Sequence, residues 1–219
     1  MTGEPAVQSR RIPLDRVSVL IDSIYAFAMT LLVLTINIPS KYEHAKEIAP
    51  VHAIIISLMP DLFHYFIAFV LLAILWYFEH QRFLSLKYLD RPLLCMNIAS
   101  LAFVCLIPFS TNIAGDYPFD NLGAIIFELN VLVIGLVACI QWLYIRQKSR
   151  DLVPGLDAPQ IRREIHWSLV FPLLALGGIA LATLQLPWSP AIFLLAPFIM
   201  AVLYWKDPAK TVIVQDRKP

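Results

Sequence analysis

The chain has 219 residues, of which 59% are hydrophobic and 15% charged, with a formal net charge of +1 and a mean hydropathy of +0.70. Soluble domains carry about 25% charged residues, so an ordinary soluble fold is excluded. A near-neutral chain without a basic stripe is also not a phosphate-tracking nucleic-acid binder. The composition predicts one all-α, polytopic membrane domain. Its three cysteines, Cys95, Cys105 and Cys139, all fall in apolar runs and form no CxxC pair. They are expected to pack rather than to bridge or hold a metal.

Residues 1–15 form a polar N-terminal segment containing Arg10 and Arg11. The apolar run that follows is too long for a secretory h-region, so it is read as a retained span. That run, Arg16 to Pro39, has no Asp, Glu, Lys or Arg from Ser23 to Ser40. Eighteen helical residues cover about 27 Å, close to a hydrocarbon core of about 30 Å. Asp22 lies inside this span and Thr30 near its middle. An intramembrane carboxylate is disfavoured by about 2.5 to 3.5 kcal/mol at the centre, and even a shallower one faces protein or water. The first helix is therefore expected inside a bundle.

A second span runs from about His52 to Phe78 and continues as EHQRFLSLKYLDR, with Trp76 and His80 four apart on one helix face. A third runs from Pro92 to about Ile113, carrying Asn97 and IPFST at Ile107 to Thr111. The fourth, about Leu122 to Ile145, contains Glu128 as its one charge. Packing with a polar partner is its default reading, with a vestibule lining as the alternative. No charge occurs from Ile165 to Trp205. That run is about 60 Å as helix, twice a bilayer, and LPWSP at Leu186 to Pro190 breaks it. Two further spans follow, about His166 to Leu184, with Pro172 as a potential kink, and Ala191 to Trp205. The organisation expected is thus a polar segment 1–15, a six-helix transmembrane domain 16–205 and a polar tail 206–219.

Lys and Arg orient the spans. Fifteen lie on the side of the termini and two, Lys41 and Lys46, on the other. The positive-inside rule then predicts cytoplasmic termini. No GxSxG, HExxH or glycine-rich phosphate loop is present, and no clustered nucleophile, acid pair or metal set. No enzymatic activity and no cofactor are expected.

The first span, RVSVLIDSIYAFAMTLLVLTINIP, resembles the signature of the Transmembrane Protein 175 family of potassium channels. In that family Arg-x-x-x-Phe-Ser-Asp precedes an Ala-x-Ala-x-Thr-Leu-Leu-x-Leu run. Arg16, Asp22, Ala26, Ala28, Thr30, Leu31, Leu32 and Leu34 match, while Leu20 and Ile21 replace Phe-Ser. WYFEHQRF resembles the Trp-x-x-x-His-x-x-Phe end of the family's second helix, and Asn97 with IPFST its third. The resemblance covers about Arg16 to Tyr117.

It implies a six-helix protomer that, with one copy of the repeat, assembles as a homotetramer around its first helices. It also implies a pore without a P-loop carbonyl filter, through which potassium ions pass in a cell membrane of prokaryotic type. Family positions counted from the aspartate place apolar constrictions at Phe27, Leu31 and Leu34 and a hydroxyl layer at Thr30. These four positions share one helical stripe. Such a stripe suits a cation path gated by dewetting, and equally suits ordinary helix packing. Asp22 lies about 140° around the helix from Phe27 and faces neighbouring helices. Equal depth groups it with Asn97, Trp76 and His80, together with Arg16 or Arg82, in a structural network of the kind the family implies. Two functions are carried forward: a potassium-preferring channel, and a proton-coupled secondary transporter using Asp22 and His80.

Overall fold

The computed structural model describes residues 13–36, 50–117, 120–186 and 188–205. Most of the N-terminal segment, the 37–49 connection and the tail from Lys206 lie outside these residues. With no water in the hydrocarbon to bond free backbone groups, a spanning chain is driven to helix, and the described residues form helices without a strand. They are α1 (Leu14–Leu31) closed by a 3-10 turn (Leu32–Thr35), α2 (Val51–Ser57), α3 (Met59–Ser85), α4 (Arg91–Cys105), α5 (Ile107–Asp116) and α6 (Asn121–Gln147). The short α7 (Ser149–Leu152), α8 (Ala158–Ser168), α9 (Val170–Thr183), a second 3-10 turn (Ser189–Leu194) and α10 (Leu195–Trp205) complete them.

Five stretches are long and apolar enough to cross a membrane: Leu14–Thr35, Met59–Ser85, Arg91–Asp116, Asn121–Gln147 and Ala158–Thr183. A shorter apolar helix, Ser189–Val202, makes the sixth. Prolines set the joints within them. Proline has no N–H to donate and is tolerated in the first turn of a helix, where that donor would be unpaired anyway. Accordingly the second span, expected to be continuous, breaks at Leu58 ahead of Pro60, and the third breaks at Leu106 ahead of Pro108. The fifth starts at Ala158, eight residues before the expected His166, because a capping box between Asp157 and Gln160 and the proline at Pro159 begin it there. It is interrupted at Leu169, three residues before Pro172.

α6 is the centre of the protomer. It packs against α4, α5, α8 and α9, and it buries Phe127, Val131, Ile134 and Trp142. A Cβ at Gly135 would stand 2.6 Å from Cδ of Pro172, so the absence of a side chain is what lets α9 come this close. The same holds about two turns further out, where a Cβ on Gly178 would meet Oε1 of Glu128 at 2.7 Å. α1 sits at the margin and packs on α3, α4 and α5.

At the end of the bundle opposite Glu128, Asp90 caps α4 by accepting from the Leu93 amide at 3.2 Å. It also accepts from the Tyr144 hydroxyl and from Lys148 Nζ at 3.1 Å. These bonds tie the start of α4 to the end of α6. Burial alone would raise the Asp90 carboxyl, but the bonds from Tyr144, the Leu93 amide and Lys148 outweigh it and hold the carboxyl below the ordinary aspartate value. Lys148 is correspondingly pushed up to about 12 by its bonds to Tyr144 and Asp90.

Candidate functional site: the two sides of the first helix

α1 has a buried side and an open side. Val17, Ile21, Tyr25 and Ala28 are buried, and Leu32 and Thr35 continue that face through the 3-10 turn. Their spacing of three and four is the seam of a helix packed on one side. The opposite side is uncovered within the protomer. Val19 is 65%, Phe27 64% and Leu34 68% exposed, and Ser23, Ala26 and Thr30 lie exposed between them. Leu31 stands half-buried at the edge of this face. Of the four expected stripe residues, three are on the open side and one borders it.

The hydroxyls on that side are oriented by their own backbone. Thr30 Oγ1 donates to the Phe27 carbonyl at 2.8 Å and Ser23 Oγ donates to the Val19 carbonyl at 2.7 Å. Each hydroxyl has spent its one proton on the helix, so its lone pairs remain for a cation or water on the open face. A turn of large apolar groups above and below a layer of such oxygens is a face with alternating character.

At the flank of the packed side, where the Asp22 side chain is 42% exposed, Trp76 Nε1 of α3 donates to Asp22 Oδ1 at 2.8 Å. His80 Nδ1 approaches the same oxygen at 3.9 Å. The Trp76 and His80 rings stack with centroids 5.4 Å apart, as their four-residue spacing on one helix face allows. This cluster pins α1 to α3 one turn and a half from Arg16. Arg16 itself is on the exposed side, and it forms no bond to Asp22, Trp76, His80 or Asn97 among the described residues.

Asn97 is in a different cluster from the one expected. Its Nδ2 donates to Oε1 of Glu79, while Arg82 Nη2 pairs with Oε2 of the same carboxylate. Glu79 is 6%, Arg82 4% and Asn97 1% exposed, so this is a buried pair with an amide completing it. Equal depth carries no information on direction, and the Asn97 amide turns to Glu79 of α3 rather than to Asp22. Sequence reasoning passed over Glu79 as part of a helix leaving the membrane. Its position three residues before Arg82, on the same helix side, was the available signal.

Glu128 is fully buried on α6, beside Gly178 of α9 and Ser189 of the second 3-10 turn. Neither of its oxygens has a hydrogen-bond partner among the described residues. Asn130, two residues on, points the other way and donates to Ser110 Oγ of α5 at 3.3 Å. No group of three or more His, Cys, Asp or Glu side chains suited to a metal occurs among the described residues.

Residues 16–108 match the family model described as Endosomal/lysosomal potassium channel TMEM175. A potassium channel of Streptomyces collinus is 26% identical over 166 residues, covering 72% of this chain and 79% of that protein. The human protein named Endosomal/lysosomal proton channel TMEM175 is 26% identical over 130 residues, which is 56% of this chain and 26% of that longer protein. In fold, the crystal structure of a lysosomal potassium-selective channel TMEM175 homolog from Chamaesiphon minutus superposes with a TM-score of 0.73 at 21% identity, over 86% of this chain and 97% of that one. The matched segment begins at Arg16 and includes all but the first two residues of α1, both polar clusters and the Pro108 joint. In its motifs over residues 16–108 the chain is similar to the TMEM175 family of potassium channels, and its fold agrees with that of a solved homolog.

Proposed function

We propose that this chain forms a passive, potassium-preferring cation channel, with copies of α1 around a central path. The observation that carries the reading is the open side of α1, where Phe27, Thr30 and Leu34 are uncovered while the opposite side is packed. An apolar helix face beside a membrane has no need of hydroxyl oxygens at its middle, whereas a path for a partly dehydrated cation does. The constriction is assigned to Phe27, Leu31 and Leu34 and the oxygen layer to Thr30. A homotetramer in the cell membrane, with both termini cytoplasmic, satisfies the single copy of the motif and the bias of Lys and Arg. Relatives named as potassium channels support potassium as the permeant ion. Conduction rather than catalysis is the activity, and Asp22, Trp76 and His80 serve to hold α1 in register.

The test is planar-bilayer conductance and reversal potential of the reconstituted chain under potassium and sodium gradients. Unitary currents with a potassium preference are expected. Thr30→Val keeps the shape and removes the hydroxyl, so it lowers that preference. Saturable flux without unitary events would reject the channel. A second reading is favoured by one distance, the 3.9 Å between His80 and Asp22. A proton-coupled transporter using these two groups predicts that Asp22→Ala assembles normally and loses only the pH dependence of flux.

A further inference from the structure

The inner end of the fifth span differs from the others. From Ala158 to Thr183 it has 26 residues, about 39 Å of helix against a hydrocarbon core of about 30 Å. Its first two turns therefore stand at the level of the lipid headgroups. Ala158, Pro159, Arg162, Arg163 and His166 line one cavity there, of about 490 Å³. Arg162 and His166 are exposed and Arg163 is half-buried. His166 Nδ1 lies 2.7 Å from the Arg162 carbonyl. A carbonyl only accepts, so Nδ1 carries the proton and donates it there, which fixes the ring against its own helix. Glu164 is about 160° around the helix from Arg162, away from this face.

The same face continues into the membrane as leucine. Leu169, Leu173 and Leu176 are 39%, 63% and 52% exposed. At about 100° per residue all three lie within about 40° of Arg162. Arg162 and His166 at headgroup depth thus stand above an uncovered apolar strip at acyl depth, with Arg163 about 100° to the side of Arg162. The inner end of α4 brings one exposed arginine, Arg91, and that of α6 brings Arg146 and Arg150 with Lys148 tied to Asp90 between them. Charge and apolarity in this vertical order match one kind of molecule, with an anionic phosphate diester at one end and hydrocarbon at the other.

We propose that the outer face of α8 and α9 binds an anionic phospholipid of the leaflet on the side of the termini. Arg162, beside Arg163, holds its phosphate, His166 lines the same cavity, and an acyl chain lies along Leu169, Leu173 and Leu176. The proposal rests on the membrane-spanning reading and its orientation, and is independent of conduction.

Delipidated full-length protein in detergent is titrated with phosphatidylglycerol, phosphatidylcholine or glycerol 3-phosphate, and bound lipid is counted by native mass spectrometry. Saturable retention of phosphatidylglycerol over phosphatidylcholine is expected. Arg162→Gln weakens it about fivefold, the effect of one cation near an anionic surface, while the charge-matched Arg150→Gln leaves it unchanged. Leu173→Ser weakens it without altering charge and serves where Arg162→Gln does not fold. Equal loss in Arg150→Gln would reduce the effect to diffuse charge and overturn the site. Equal competition by glycerol 3-phosphate would make it a soluble-anion site and likewise overturn it. Lipid retention in a protein that passes no potassium would sink the channel reading and leave this one standing.

Discussion

α1 and α6 are both apolar spans, yet the protomer treats them oppositely. Half of the α6 span is buried, against 28% of α1. α6 is surrounded, with glycine at Gly135 admitting Pro172 and its carboxylate enclosed against Gly178. α1 is held along one side by Val17, Ile21, Tyr25 and Ala28 and left open along the other. A helix surrounded in this way determines whether the protomer folds. A helix covered on one side only has a second surface whose changes can be felt in function while the fold is untouched.

That contrast is most severely tested in the cluster beneath α1. Glu79→Ala leaves Arg82 buried without its partner, and losing one member of a buried pair costs about 3 to 5 kcal/mol. Folded yield and melting temperature in detergent should fall sharply. On α6, Gly135→Val drives a branched side chain into the Pro172 ring, an overpacking that costs about 1 to 3 kcal/mol. It should lower the melting temperature without a specific effect on ion preference. If Gly135→Val were neutral, α6 would not be the packing centre described.

Asp22→Ala acts on the packed side of α1. It removes the acceptor of the half-buried Trp76 Nε1, at about 0.5 to 1.5 kcal/mol, so assembly should weaken, and Trp76→Phe, which removes only the donor, should cost less. Phe27→Ala acts on the open side. An exposed substitution shifts stability by no more than about 0.5 kcal/mol, while potassium flux should rise severalfold as the constriction widens. Ile24→Ala, about 60° away around the helix, is the control with a smaller effect on flux. Unchanged conductance in well-assembled Phe27→Ala would transfer the constriction to Leu31 and Leu34.

The smallest effect is set by pH at the far end of α6. Asp90 has a lowered carboxyl value, so its contribution to stability is present above the ordinary aspartate value of about 3.9 and is lost as pH falls through the lowered one. Lys148 is the mirror case, contributing below its ordinary value and losing that contribution as pH rises through about 12. Asp90→Asn should flatten the acid limb of a melting-temperature profile. A profile unchanged by Asp90→Asn would show that the tie between α4 and α6 carries no stability.

Spans and motifs were legible because hydropathy and spacing act along the chain. The apolar runs gave the helices, and Arg16, Asp22, Trp76 and His80 gave the resemblance. What acts across the chain was not legible. Asn97 was grouped with Asp22 by depth, yet bonds Glu79, because two helices of equal depth leave rotation about each axis undetermined. The joints at Leu58 and Leu106 lie two residues before Pro60 and Pro108, in runs whose hydropathy does not change there. Gly135 and Gly178 carried no signal until Pro172 and Glu128 were seen against them.

The 3-10 turn that closes α1 alters how any residue-by-residue scan of that end must be read. In an α-helix Leu34 would fall about 60° short of Leu31, but three residues of 3-10 helix complete one revolution and rise about 2.0 Å each. Leu34 therefore eclipses Leu31 instead of drifting from it, although α1 proper ends at Leu31. Reagent labelling of single cysteines along this helix should repeat every 3.6 positions up to Leu31 and every three positions from Leu32 to Thr35, so a wheel drawn with one angle throughout would assign the outermost residues to the wrong side.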